Sequence, residues 1–381
     1  MGETVTILER LAGQSLQTAV LEGNRLAEYF TGTGEEVSQV GTILLGKVER
    51  VLPDVRAAFV NIGRGKNGFL PLKESDSFHQ QNDPCPLVTG NGVVVQIRKD
   101  EKGAKGAYLS RDVSLPGQYV ILMPLNRFVG VSKKITEEAS RRQLVSLGEE
   151  IAARRFGLVM REAALPARRE DIAREAESLY EAWQQLSRGV ECQKPPCVLS
   201  RPERVFETVF RDLSPKCQVQ AFSTLEPSSL VSPEDMEEKW KAFRIREQLP
   251  GALGRKVTFS GGGFLVIDER EALQTIDVNS GSFVKTQGSL ALAVNLAACG
   301  EIARQIRLRN LSGIVLIDFI DMATEKEREQ VAEALEKELK QDRIKTVVHG
   351  FTRLGLLEMT RRRTGPSLSE MLRESEGREE D

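Results

Sequence analysis

Histidine is nearly absent from this 381-residue chain, which has only His79 and His349. That leaves little room for acid–base chemistry built on imidazole, the side chain that most often moves protons near neutral pH. Cysteine is sparse as well, and its count of five is odd. Cys192 and Cys197 flank Gln193-Lys194-Pro195-Pro196 with no second close Cys or His pair, so a tetrahedral zinc site is not expected. Met1 to Arg10 lacks the apolar core of a secretory signal, so reduced thiols and a cytoplasmic location are expected. There is no apolar run of about 18 residues, which excludes a membrane-spanning helix as a sequence expectation. An excess of one charge is also missing: 53 basic and 55 acidic side chains give a formal net charge of −2. Any nucleic-acid contact must therefore use local basic patches and not a globally basic surface. The Gly-x-x-x-x-Gly-Lys-Ser/Thr phosphate loop does not occur, and Gly261-Gly262-Gly263, between two predicted strands, suits a tight hairpin better than a nucleotide cradle.

What the chain does contain is 40% hydrophobic and 28% charged residues, enough for roughly two to four domains or subdomains. Val5, Ile7, Ala19 and Leu21 alternate around Glu22-Gly23-Asn24-Arg25, which predicts a β-hairpin. A hairpin alone is marginal, so residues 1–36 are expected to join a sheet completed later. Between residues 37 and 112, short strands (Thr42 to Leu45, Ala57 to Ile62, Val93 to Ile97, Ala107 to Leu109) separated by turn residues suggest a small barrel. With Val60 and Ile62 inside, Phe59 falls on the outer surface beside Asn61. Phe59 and Phe69, among Lys47, Lys66, Lys99 and Lys105, could stack single-stranded bases; the alternative puts both rings in the core.

Residues 113–200 are basic (Lys133, Lys134, Arg141, Arg142, Arg154, Arg155, Arg161). A strand is expected at Tyr119 to Met123 and helices at Glu137 to Leu147 and Arg169 to Leu186. The charges make either solvated helix faces or an RNA-backbone site. Lys194-Pro195-Pro196 marks a boundary. Helices are expected at Glu203 to Asp212 and around Glu234 to Glu247. Residues 253–360 read hairpin, strand, helix, strand, helix, strand. Leu290 to Leu308 is helical, with Arg304, Arg307 and Arg309 suited to the helix macrodipole, and Thr324-x-x-Glu327 is a capping box. Residues 364–381 read as a frayed acidic tail.

Two of these strands carry acids. Thr275 to Val278 is β-branched apart from Asp277, and Ile314 to Ile317 is wholly apolar, as in strands covered on both faces. Asp277 and Asn279 are two apart and share a face, while Asp318 directly follows an apolar run. Such acids usually have a partner. A hard cation such as Mg²⁺ is one; loop caps or arginines are the other.

Gly46-Lys47-Val48, Ala58-Phe59-Val60-Asn61-Ile62-Gly63 and Gly68-Phe69-Leu70-Pro71 resemble an S1 domain, an OB-fold RNA-binding barrel. Four longer motifs closely resemble the ribonuclease E/G family: Thr275-Ile276-Asp277-Val278-Asn279-Ser280, Glu301-Ile302-Ala303-Arg304-Gln305-Ile306-Arg307-Leu308-Arg309, Ile317-Asp318-Phe319-Ile320-Asp321-Met322 and Gly355-Leu356-Leu357-Glu358-Met359-Thr360. Ser132-Lys133-Lys134-Ile135 after Leu122-Met123-Pro124 matches too. The likeness runs to about residue 370.

The resemblance implies an α/β multi-subdomain fold. A discontinuous RNase H-like subdomain (1–36 and 200–252) would carry an inserted S1 domain (37–114). A 5′-sensor-like α/β region (115–199), a DNase I-like catalytic subdomain (253–363) and the tail (364–381) would complete it. It implies an endoribonuclease acting on single-stranded RNA and leaving 5′-phosphate and 3′-hydroxyl ends. By the same resemblance Asp277 and Asp318 would hold Mg²⁺, with Mn²⁺ as a substitute. Asn279 would orient the scissile phosphate or one of the acids. Phe59, Phe69, Lys105 and Arg353 would contact RNA, and Ile121, Lys133 and Arg161 would line the 5′-end pocket.

This sequence departs from the family pattern in that pocket, where Arg161-Glu162 replaces an Arg-Thr pair, so stimulation by a 5′-monophosphate is expected to be weak or absent. No Cys-Pro-x-Cys zinc link follows the catalytic motifs; neither zinc nor zinc-linked assembly is expected, and other modes of oligomerisation stay open. The 213–255 region is short, which suggests a trimmed RNase H-like subdomain. The competing reading is an RNA-binding protein on the same scaffold with little or no cleavage.

Overall fold

A computed structural model describes residues 4–33, 38–72, 87–101, 105–190, 192–270, 272–284 and 289–376. His79 and residues 377–381 of the acidic tail lie outside the described residues. Chain contacts divide the molecule into an outer unit, residues 1–37 with 217–381, and an inserted unit, residues 38–216.

The outer unit begins with an antiparallel meander, β1 (Val5–Ala12), β2 (Ser15–Glu22) and β3 (Arg25–Thr33). Gly23, with φ 57°, makes the β2–β3 turn, a conformation that favours glycine.

In the inserted unit, β4 (Ile43–Leu52), β5 (Ala57–Asn61), β6 (Gly68–Pro71), β7 (Gly92–Lys99) and β8 (Tyr108–Ser110) pair in the order β4-β5-β6-β8-β7. A β4–β7 pairing closes them into a five-stranded barrel. Val48, Val60, Ile62, Leu70, Val95, Ile97 and Leu109 fill it. A Cβ on Gly46 would overlap Val60, so the chain passes close to the packed interior there only because it has no side chain.

A second sheet follows, from β9 (Leu115–Pro116), β10 (Val120–Met123), β11 (Val129–Val131) and β12 (Gly157–Met160), in the order β11-β12-β10-β9. Helices α1 (Glu138–Ala152) and α2 (Arg169–Val190) pack on it through Leu144, Ala152, Ile172 and Ala176. After Pro196, β13 (Cys197–Ser200) returns to pair with β4, and α3 (Val205–Leu213) ends the unit.

Back in the outer unit, β14 (Val219–Ser223) runs parallel to β1 and completes the sheet β14-β1-β2-β3. The N-terminal hairpin thus joins a later strand, as its small size requires. Helices α4 (Pro233–Ala242) and α5 (Ile245–Leu253) replace the single helix expected around Glu234 to Glu247. Arg244, with φ 51°, breaks the run between them, since an αL residue cannot continue a right-handed helix.

Residues 256–361 form a six-stranded sheet, β15 (Lys256–Thr258), β16 (Phe264–Glu269), β17 (Gln274–Asn279), β18 (Gly313–Asp318), β19 (Thr346–Phe351) and β20 (Leu357–Arg361). Its order is β15-β16-β17-β18-β20-β19. Helix α6 (Leu290–Leu308), with the expected limits, is the crossover between parallel β17 and β18, and α7 (Glu325–Leu339) opens on the Thr324/Glu327 capping box. Both helices pack on one face, burying Ile276, Val278, Val315, Ile317 and Met359.

The other face is open, which corrects the expectation of strands covered on both sides. Ile314 is 49% exposed while Val315 and Ile317 are fully buried, so the apolar run at 314–317 does not report two-sided burial. The tail also differs from expectation. Helix α8 (Leu368–Glu376) is not frayed at its start, because Leu368 and Met371 are buried against the core of the β14-β1-β2-β3 sheet. The sequence carried this signal: Ser367 and Glu370 cap each other, and Leu368, Met371 and Leu372 fall at helical spacing.

The α6 arginines do more than complement the helix dipole. Arg304 binds Glu301 and the Leu26 carbonyl, Arg307 binds both carboxylate oxygens of Glu22, and Arg309 binds Gln305 and the Gly254 carbonyl. Arg304 and Arg307 thereby tie the meander to α6 within the outer unit, and Arg309 ties α6 to the segment before β15.

Candidate active site

The acids stand on the open face of the six-stranded sheet. Asp277 on β17 and Asp318 on β18 are register partners, which puts their backbones roughly 5 Å apart. Both side chains are exposed. The i, i+2 spacing brings Asn279 onto the same face, where its Nδ2–H donates to Asp277 Oδ2 at 2.8 Å. Burial, then the charges of Asp277 and Asp321, hold the Asp318 carboxyl above the usual carboxylate range. Three acids therefore crowd one strand end, and an added positive charge would relieve them.

The segment after β18 is pinned from the buried side. Asn295, fully buried on α6, donates to the Ile320 carbonyl at 2.8 Å and accepts from the Ile320 N–H at 3.0 Å. This two-point grip holds the segment between Asp318 and Asp321. Sequence reasoning missed it; an amide beside the apolar stripe Val294–Ala298 was the available signal, because a buried polar side chain needs a backbone partner. Arg353 is exposed in the tight turn between β19 and β20, closed by the Thr352 N–H to the Leu356 carbonyl at 2.7 Å.

Among the described residues, no group of three or more His, Cys, Asp or Glu side chains is arranged to enclose a metal. The pair Asp277 and Asp318 nevertheless fits Mg²⁺ by donor type. It is all oxygen, like-charged and open, and Mg²⁺ is commonly held by one or two carboxylates with water and substrate phosphate completing the shell.

The barrel presents a separate surface. Phe59 is exposed and Phe69 half-buried on its outside, their ring centroids 6.1 Å apart, while Val60 and Ile62 point inward. Tyr108 extends the row, 6.1 Å from Phe69, with Lys99 Nζ 5.5 Å from its ring. Lys105 is exposed. Tyr108 was missed by the sequence reading, although alternation around buried Ala107 and Leu109 marks it as outward.

Ile121, Lys133 and Arg161 stand on or just beyond the neighbouring strands β10, β11 and β12. Arg161 is not free there. It donates to Asp212 Oδ1 at 2.8 Å and to the Gly117 carbonyl. The backbone N–H groups of Gln118, Tyr119 and Val120 all donate to Glu175, at 2.6, 2.7 and 3.0 Å. Glu162 lies 3.6 Å from Lys216. Arg161 and the Gln118–Val120 amides are thus already matched internally, while Lys133 is exposed.

Comparison with known proteins extends these observations. Ribonuclease G of Escherichia coli is 34% identical to this chain over 401 residues, covering 97% of this chain and 82% of that protein. Ribonuclease G of Salmonella typhimurium is 33% identical over 400 residues with the same coverage. Ribonuclease E of a Nostoc species is 32% identical over 389 residues, covering 95% of this chain and 56% of the relative. The model of the ribonuclease E/G family matches residues 114–364, which include β17 and β18 with both acids. With that match and relatives aligned along nearly its whole length, the chain belongs to the ribonuclease E/G family.

Proposed function

We propose that this protein is a Mg²⁺-dependent endoribonuclease that hydrolyses phosphodiester bonds in single-stranded RNA, leaving 5′-phosphate and 3′-hydroxyl ends. The observation that carries the reading is the in-register pair Asp277 and Asp318 on an open sheet face, with Asn279 bonded to one of them. A bound Mg²⁺ would polarise the phosphate and lower the pKa of an attacking water. Asp277 and Asp318 would supply its carboxylate ligands. Asn279 holds one Asp277 oxygen through its Nδ2–H, which fixes the rotation of that carboxylate. Asn295 fixes the segment that follows Asp318. No imidazole is needed, which suits a chain with two histidines.

The finer assignments rest on the family resemblance: an RNase H-like sheet, an S1 barrel, a 5′-sensor-like region and a DNase I-like catalytic subdomain, in a cytoplasmic protein. The closed five-stranded barrel supports the S1 assignment. No helix among the described residues is long and apolar enough to cross a membrane. The test is incubation of the purified protein with labelled AU-rich single-stranded RNA, with Mg²⁺, with Mn²⁺ and with chelator. Metal-dependent cleavage supports the proposal, and binding without cleavage supports the non-catalytic alternative.

The barrel platform gives its own prediction. Base–aromatic stacking contributes about 1–3 kcal/mol per base. Phe59→Ala is therefore expected to weaken single-stranded RNA binding roughly 5- to 150-fold, read by fluorescence anisotropy in chelator, with the thermal midpoint nearly unchanged. Wild-type affinity would remove Phe59 from the platform.

The 5′ end gives another. With Arg161 paired to Asp212 and the Gln118–Val120 amides on Glu175, a terminal phosphate would have to break internal contacts to reach them and would otherwise meet only the exposed Lys133. Substrates with 5′-monophosphate and 5′-hydroxyl ends are expected to be cleaved at rates within about threefold of each other, since little binding energy remains to be gained. A tenfold preference for the monophosphate would show that the pocket opens.

A further inference from the structure

The carboxylate pair belongs to a longer row. Lys256 on β15 pairs with Val266 on β16, Val266 with Asp277, and Asp277 with Asp318. Directly paired residues project to the same side of a sheet, so Lys256 shares the open face with both acids. Two strand intervals separate it from Asp277, roughly 10 Å. The aliphatic Val266 fills the gap, so the ammonium has no polar stepping stone towards the carboxylate.

Lys256 is held where it stands. Its Nζ sits 3.8 Å from the centroid of the Phe264 ring, a cation–π geometry that orders an otherwise mobile side chain. Phe264 is half-buried and is the register partner of Asn279. A Cβ at Gly281 would lie 3.1 Å from the Phe264 ring, so the ring rests close against the loop that follows the catalytic strand. Its neighbours are committed differently: Arg255 and Arg270 both face Asp268, at 2.7 and 3.9 Å. Lys256 meets an aromatic ring and no carboxylate among the described residues. A lysine ordered by a ring, exposed and not neutralised, is a positioned point charge available to an anion.

From this geometry we propose that Lys256, seated on Phe264, binds an RNA backbone phosphate flanking the scissile one and sets the path of the strand across the open face. The inference rests on the nuclease reading for the meaning of "scissile", but its binding component does not. An RNA strand laid over Asp277, Asp318 and Asp321 meets three like charges. A dication at the pair offsets those at the reacting phosphate, and Lys256 supplies attraction at the next position along the row. The contact is to backbone, so it positions without reading sequence.

The experiment measures a short single-stranded RNA in two ways with wild type, Lys256→Gln, Lys256→Arg and Phe264→Leu. Binding is read by anisotropy in chelator at several salt concentrations, and cleavage is read as kcat and KM in Mg²⁺. Lys256→Gln is expected to weaken binding about five- to tenfold and to lower the slope of log affinity against log salt by about 0.7, the value for one phosphate contact on a single strand. KM should rise in parallel, while kcat and the Mg²⁺ concentration for half-maximal cleavage stay within about twofold, as for a lost uniform-binding contact. Lys256→Arg should restore the slope, and Phe264→Leu should weaken binding less than Lys256→Gln, because the charge remains but is less ordered. An unchanged salt slope in Lys256→Gln overturns the proposal. So does a kcat or Mg²⁺ effect without a binding effect, which would place the lysine at the metal. If wild type fails to cleave but the slope still falls, the nuclease reading is lost and the phosphate site stands.

Discussion

Asp318→Asn is expected to reduce cleavage of single-stranded RNA by about 1000-fold or more, equivalent to the several kcal/mol that a bound dication contributes at a phosphoryl centre. The substitution keeps the shape of the side chain and removes its charge. Stability should move the other way. Burial, and then Asp277 and Asp321, raise the Asp318 carboxyl above its ordinary range. A carboxyl raised on folding stabilises the native state while protonated; that contribution is complete in acid and is lost as pH rises through the folded value. At neutral pH the ionised group is therefore a cost, and the variant in chelator should melt at the wild-type temperature or above it. Added Mg²⁺ should raise the melting temperature of the wild type more than that of the variant, because a ligand stabilises only the state that binds it. Loss of activity with retained or increased stability separates a functional acid from a structural one. Cleavage by Asp318→Asn at the wild-type rate would remove the pair from the mechanism.

The largest expected loss of stability lies on the opposite side of the same sheet. Arg361 on β20 is buried and binds Asp342 at 2.7 Å, Asn310 Oδ1 at 2.7 Å and the Leu311 carbonyl at 3.1 Å. Asp342 is buried too and also accepts the Ile344 N–H at 2.8 Å. Removing one partner leaves a desolvated charge, which costs about 3–5 kcal/mol. Arg361→Met should therefore lower the melting temperature of the outer unit by roughly 6–20 °C. The two tryptophans make the measurement unit-specific, because Trp240 lies in the outer core and Trp183 in the inserted unit. In a Trp183→Phe background, fluorescence follows the outer unit alone. The double variant Arg361→Met/Asp342→Leu should recover part of the loss, since replacing both partners leaves no orphaned charge. Equal stability of Arg361→Met and its parent would mean that solvent reaches Asp342.

Much of this was legible in the order of residues. Helix α6 has the limits its apolar stripe predicts, the Thr324/Glu327 capping box opens α7, and Val60 with Ile62 sends Phe59 outward from a closed barrel. These features depend on local periodicity and capping, which neighbouring residues determine. The sharing of a face by Asp277 and Asn279 was legible for the same reason.

Register and partners belong to the tertiary structure. No local pattern states that Asp277 stands beside Asp318, that Lys256 lies in the same row, or that Asn295 reaches Ile320. These pairings join residues up to some sixty positions apart, and a one-residue slip would send every side chain to the other face. The sequence misled where one composition serves two environments. Ile314 to Ile317 is apolar yet faces solvent on alternate residues, and the acidic tail hides an apolar stripe that docks through Leu368. Arg161 shows the limit most clearly: the residue type permits a phosphate contact, and only the fold, by placing Asp212 and the Gly117 carbonyl against it, commits its guanidinium elsewhere. The sequence by itself determined which chemistry is available, because side-chain type sets donors, charge and metal preference. The tertiary structure decided which of those groups meet, because long-range pairing alone brings distant carboxylates, amides and cations to one face.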